Sequence, residues 1–227
     1  MCIVSDHEYS IERGVFMHLL AFLFIIFAFL MLGTRGLRIS IALMGLQAFI
    51  LTAIAFVLAY QHAMEIHLLI IGGLTFIIKS IVLPIVLLRL RDITETGEKI
   101  KLSFSIVSSV AVGLLLIALS YFYVVPVMLH GIATEGKLLE AAIAGILVGC
   151  FFMISRRSVI TQIIGIVVME NGIFLTGMAI TGGMPLLVEL GIFFDVLVGA
   201  LVMGVITYRI SDRFDTLDVE NLNSLKG

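Results

Sequence analysis

Three ionisable residues stand where charge is least at home. Glu170 and Asp195 lie near the middle of two consecutive apolar stretches of membrane-spanning length, and Lys79 lies deep in an earlier one. A charge at bilayer mid-depth costs about 3 kcal/mol on insertion scales, so such residues mark ion or proton pathways. Glu170 sits in Gly165-Ile-Val-Val-Met-Glu170-Asn171-Gly172. The glycines admit a close neighbouring helix, and Asn171 adds a second polar group. A carboxyl that can be neutral or charged is what a proton relay uses. Asp195 follows after a connection of only a few residues, Gly182-Gly183-Met184 before Pro185. So short a loop makes the two helices antiparallel neighbours with axes about 8–10 Å apart. Two carboxyls at similar depth could then exchange a proton through one or two waters. Lys79 could pair with Glu170, with Asp195 or with an acid on another subunit. Pro84, five residues later, removes a helical hydrogen bond to the Ser80 carbonyl. Gln47 is a further mid-span polar group, and Glu189 could extend a path outward from Asp195. The competing reading makes the carboxyls interhelical hydrogen-bonding groups and lets Lys79 snorkel. Roughly 15 Å of helix separates Lys79 from the nearest basic loop, which makes full snorkelling hard.

The elements that must position these residues are membrane helices. The chain has 227 residues, of which 61% are hydrophobic and 13% charged. A soluble domain of this size needs far more polar surface. The apolar runs are continuous rather than alternating, so the expected fold is all-α and polytopic, with lipid as its surroundings. Seven spans are expected, at about 15–33, 39–60, 66–88, 103–129, 138–154, 159–181 and 185–208. Eleven of the fourteen Lys and Arg residues fall in the connections after spans one, three and five or in the C-terminal tail. Arg156 and Arg157 are counted among these loop charges. The positive-inside rule then puts the N-terminus outside and the C-terminus in the cytoplasm. The acidic N-terminus lacks the basic region of a secretory signal, so the first span is expected to be retained. The expected organisation is a four-helix region over 1–137, a three-helix region over 138–210 and a cytoplasmic tail over 211–227. Spans one to three and five to seven place polar groups alike, Gln47 against Glu170 and Lys79 against Asp195. Their spacings differ, however, and apolar helices resemble one another by composition.

Cys2 and Cys150 are not placed to pair, and no metal-ligand spacing occurs. No phosphate-binding loop, dinucleotide fingerprint or haem-spaced histidine pair is found, and no basic tract suggests nucleic acid. Any chemistry beyond proton movement is therefore expected to belong to partners.

The strings Ile164-Gly-Ile-Val-Val-Met-Glu-Asn-Gly-Ile-Phe-Leu175 and Met184-Pro-Leu-Leu-Val-Glu-Leu-Gly-Ile-Phe-Phe-Asp-Val-Leu-Val-Gly199 resemble hydrogenase-4 component E. That family supplies a membrane subunit to group 4 membrane-bound hydrogenases, including formate hydrogenlyase complexes. The resemblance to component E extends along the whole chain. Spans five to seven also resemble the three-helix K (4L) subunit of complex I and the C subunit of multisubunit sodium/proton antiporters. By resemblance, Glu170 matches the mid-membrane Glu of the second helix in the K subunit. Asp195 matches the Glu of the third, as a residue one methylene shorter. The resemblance implies a prokaryotic inner-membrane location and no cofactor in this chain. It implies partners: antiporter-like subunits, a complex I H-like subunit, and hydrogenase subunits with nickel–iron and iron–sulfur centres. The implied function is lateral proton transfer that couples redox chemistry to ion pumping. Two alternatives remain: a subunit of an antiporter with no redox partner, and a purely structural membrane subunit.

Overall fold

A computed structural model describes residues 2–61, 72–73, 76–93, 103–128 and 136–181 and positions 199, 202 and 204, with side chains described from Gly14 onward except at Gln61, Ile93, Met128 and Thr181. Helix α1 spans Cys2–Gly33 and α2 spans Leu37–Gln61. A π-helical segment, Phe76–Val82, runs directly into α3, Leu83–Ile93. Helix α4, Ile106–Leu119, continues through a second π-helical segment, Ser120–Val124, into a last turn at Val125–Met128. Helices α5, Gly136–Ser155, and α6, Val159–Thr181, complete the described elements. Helix is what long apolar sequence must form in lipid, because it satisfies the backbone polar groups within one segment.

Five described helices are long and apolar enough to cross a membrane: Gly14–Gly33, Leu37–Tyr60, Ile106–Val127, Gly136–Ser155 and Val159–Ile180. They coincide with five of the seven expected spans. The third expected span is described only in part. The seventh lies outside the described residues, except at positions 199, 202 and 204.

The core is layered. One apolar cluster gathers Phe24, Leu51, Leu139 and Leu175; the other gathers Met31, Met44, Leu87, Phe152 and Ile164. Four of the five long helices pass between the clusters, α1 and α5 in one sense and α2 and α6 in the other, whereas the Ile106–Val127 span gives only Val125 to the first. The third passage follows the same plan. A Cβ on Gly72 would touch Phe56 at 3.4 Å, near the first cluster, whereas Leu83, Leu87 and Leu90 belong to the second. Val202 also belongs to the second cluster. Between the two apolar layers lie Gln47, Lys79, Glu170 and Asn171, all buried.

Among the described residues, helices α5 and α6 form the most extensive helix pair. Their approach depends on residues without side chains. A Cβ on Gly149 would lie 2.6 Å from the Met169 backbone nitrogen, and one on Gly172 would lie 2.8 Å from the Ala142 carbonyl oxygen. Close backbone approach through small residues is how membrane helices gain packing energy in lipid.

The connections at one end of the bundle are tied together. Ser105 caps α4 by accepting from the Ser108 backbone N–H at 3.1 Å. The Ser103 backbone N–H donates to the Ser155 carbonyl at 3.0 Å. Thr34 Oγ1 donates back to Met31 O at 3.0 Å. Arg156, in the connection between α5 and α6 where the charge count placed it, is only 1% exposed. Its Nη2 donates to Leu32 O at 2.8 Å and to Met31 O at 3.4 Å, which closes the C-terminus of α1. The carbonyls at a helix end lack intrahelical partners and carry partial negative charge, so a cation is favoured there. The guanidinium also lies 5.1 Å from the Phe152 ring centroid. Burial pushes the Arg156 pKa down to about 10, which still leaves it charged at neutral pH. Arg156→Met is expected to destabilise the protein by about 2 kcal/mol, read as a lower unfolding temperature in detergent. Arg157 is exposed and bonds only the Ser103 hydroxyl among the described residues. Arg157→Met should cost about 0.5 kcal/mol or less.

Candidate functional site

The polar layer is built by three helical passages. Lys79 comes from the π-helical segment, Glu170 and Asn171 from the middle of α6, and Gln47 from the middle of α2. The π geometry around Lys79 precedes Pro84, whose ring packs where a Cβ on Gly45 would be, at 3.1 Å. Ser80 Oγ donates to Gly45 O at 3.1 Å and pins this segment to α2. Single π turns of this kind are frequent at functional sites. The Lys79–Pro84 spacing was the one sequence signal of the irregularity, because proline removes a regular helical bond.

Lys79 Nζ donates to Glu170 Oε1 at 2.7 Å, and the side chains are only 2% and 3% exposed. Two of the three ionisable candidates therefore meet, across 91 residues of sequence. The Phe174 ring, one turn along α6, lies with its centroid 5.8 Å from Nζ and adds a face that favours a cation. The second polar contact runs from Asn171 Nδ2 to Gln47 Oε1, at 3.4 Å. Asp195 and Glu189 lie outside the described residues. Among the described residues, no three His, Cys, Asp or Glu side chains converge as a metal site. Cys150 Sγ lies 3.4 Å from Met169 Sδ, an ordinary packing contact within the α5–α6 pair.

Chemically, the pair holds a proton between an amine and a carboxyl in a layer screened from water on both sides. Taking two charges out of water costs several kcal/mol per ion, repaid only by good mutual geometry. A short charge-assisted bond supplies that geometry. Moving one proton along it converts the ion pair to a neutral pair. A small change in position or local field can then decide which form is held.

A layered, polytopic helical bundle with a buried Lys–Glu pair in its mid-layer defines the chain as a multi-pass membrane protein with an ionisable core. Residues 138–227 match the family NADH-ubiquinone/plastoquinone oxidoreductase chain 4L. Hydrogenase-4 component E of Escherichia coli strain K12 is 35% identical over 113 residues, which cover 50% of this chain and 52% of that protein. The Shigella flexneri protein of the same name matches equally. The uncharacterized protein Rv0085 of Mycobacterium tuberculosis is 38% identical over 86 residues, covering 38% of this chain and 39% of that one. These matches bear out the resemblance carried by the residues around Glu170, over half the chain rather than all of it. The matched segments span about half the length of the curated relatives or less. No solved structure matches the chain significantly. Apolar spans and these relatives together make the chain a multi-pass inner-membrane protein.

Proposed function

We propose that this chain is a membrane subunit of a multisubunit respiratory-type complex of the group 4 membrane-bound hydrogenase kind. In it, the Lys79–Glu170 pair forms part of a proton-transfer axis that couples redox chemistry to ion pumping. The observation that carries this reading is the buried 2.7 Å pair in the mid-layer of a membrane bundle. The likeness of residues 138–227 to a respiratory oxidoreductase subunit supports it. The chain crosses the membrane seven times in this reading, with the N-terminus outside and the C-terminus cytoplasmic. Asp195 and then Glu189 continue the axis beyond Glu170, while Asn171 and Gln47 support it. Residues 138–210 act as the 4L-like module, with 1–137 as an added four-helix region and 211–227 as a cytoplasmic tail. Partners are antiporter-like subunits, a complex I H-like subunit, and hydrogenase and iron–sulfur subunits. The nickel–iron and iron–sulfur centres reside in those partners.

Gentle purification of the tagged chain from native membranes tests this, with mass spectrometry and metal analysis of what accompanies it. Nickel, iron and hydrogenase subunits are expected. Antiporter-like subunits without either metal would replace the hydrogenase reading with that of an ion exchanger. Recovery of the chain alone would overturn both.

A further inference from the structure

The nearest hydroxyls on α2 and α6 are satisfied by their own helix: buried Thr52 Oγ1 donates to Ala48 O at 3.0 Å and half-buried Thr176 Oγ1 to Gly172 O at 2.9 Å. The two amides between them are not. Gln47 and Asn171 are each 0% exposed and share one bond at 3.4 Å, at the long end of the range. Gln47 Nε2 and Asn171 Oδ1 have no hydrogen-bond partner among the described residues. This remainder does not depend on how the amides are oriented. One N–H to O bond between two primary amides always leaves one NH₂ and one carbonyl oxygen over. Flipping both side chains exchanges the roles and leaves the same pair.

A donor and an acceptor, both buried, both unpaired and carried by two side chains in contact, are complementary to one water molecule. A water accepts from the NH₂ and donates to the carbonyl oxygen. It still has a second hydrogen to donate and a second lone pair. Buried waters occur where polar groups would otherwise go unsatisfied. An apolar occupant would satisfy neither atom, and an ion would suit only one of them.

We propose that Gln47 and Asn171 bind one internal water within the polar layer, beside the Lys79–Glu170 pair. This water extends the ionisable site from α6 toward α2. Its binding stands on the amide geometry alone; its place on a proton path rests on the proposed function. Gln47 and Asn171 are positioning residues for that water.

The test is pH-step infrared difference spectroscopy on the full chain in phosphatidylcholine vesicles, in ordinary and oxygen-18 water. The native protein is expected to show a water O–H band that shifts with the heavy isotope. The band is lost in Gln47→Met and in Asn171→Leu, which keep volume and remove the amide. It is retained in Gln47→Glu, which keeps an acceptor and, when protonated, a donor. If either single variant fails to fold, Gln47→Met with Asn171→Leu leaves no amide unpaired and should fold without the band. Absence of the band in the native protein, or its survival in the double variant, overturns the site.

Proton transfer by the intact complex is then compared. Gln47→Met is expected to slow the Glu170-dependent rate about tenfold, with rescue by Gln47→Glu. An unchanged rate in Gln47→Met, when Glu170→Gln abolishes transfer, overturns the role of the water and leaves the proposed function standing. Loss of the rate dependence on Glu170 itself, with the band intact, overturns the proposed function and leaves the water site.

Discussion

Glu170→Gln is expected to lower the stability of the folded chain by about 3–5 kcal/mol, because it removes the negative charge that meets the buried Lys79 ammonium at 2.7 Å. Lys79→Met should cost a similar amount for the mirror reason. Combining the two removes both charges. Replacing a buried ion pair with neutral side chains of similar volume is often neutral or stabilising by about 1–4 kcal/mol relative to the pair. The double variant should therefore recover most of the loss, a coupling that thermal unfolding in detergent measures directly. Function should part company with stability. Proton-coupled turnover of the complex in vesicles, followed with a pH-sensitive dye, is expected to stay abolished in the double variant. If turnover returns along with stability, the pair only holds the helices together and the relay reading fails.

Gly149→Ala is the second change with a large expected effect. The added methyl would sit 2.6 Å from the Met169 nitrogen, 2.9 Å from its Cα and 3.0 Å from the Gly165 carbonyl oxygen. All three are backbone atoms, so no rotamer change relieves the contact, and α5 must move away from α6. Overpacking of this kind costs about 1–3 kcal/mol, and rigid partners place this site at the upper end. The contact falls on the residue before Glu170, so the separation also shifts the carboxyl relative to Lys79. Both the unfolding temperature and proton-coupled turnover should fall. Gly14→Ala is the matched control: nothing lies within 4 Å of a Cβ there. Alanine at this helical position should be neutral or stabilise by up to about 1 kcal/mol. Equal losses in the two variants would show that the α5–α6 contact carries no special strain.

The class of protein was legible because hydrophobicity of spanning length is a local property, readable one segment at a time. Glu170 and Lys79 stood out for the same reason, as ionisable residues against an apolar background. Gly149 and Gly172 could be noticed as small residues, but their steric role depends on what faces them. The capping role of Arg156 was not legible, because a pair of arginines after a span has the composition of any cytoplasmic loop. Only the end of α1, more than 120 residues earlier, makes one of them a buried helix cap.

By itself, then, the sequence determined the solvent, the helical class, the positions of most crossings and the identity of the ionisable candidates. The tertiary structure decided which of them meet. Lys79 chose Glu170 and Asn171 chose Gln47 across 91 and 124 residues. The physical reason is that the spans are apolar on nearly every face, so their sequences carry almost no signal for rotation or neighbour. Those are set by glycine contacts, the π turn beside Pro84 and the demand that each buried polar group find a partner.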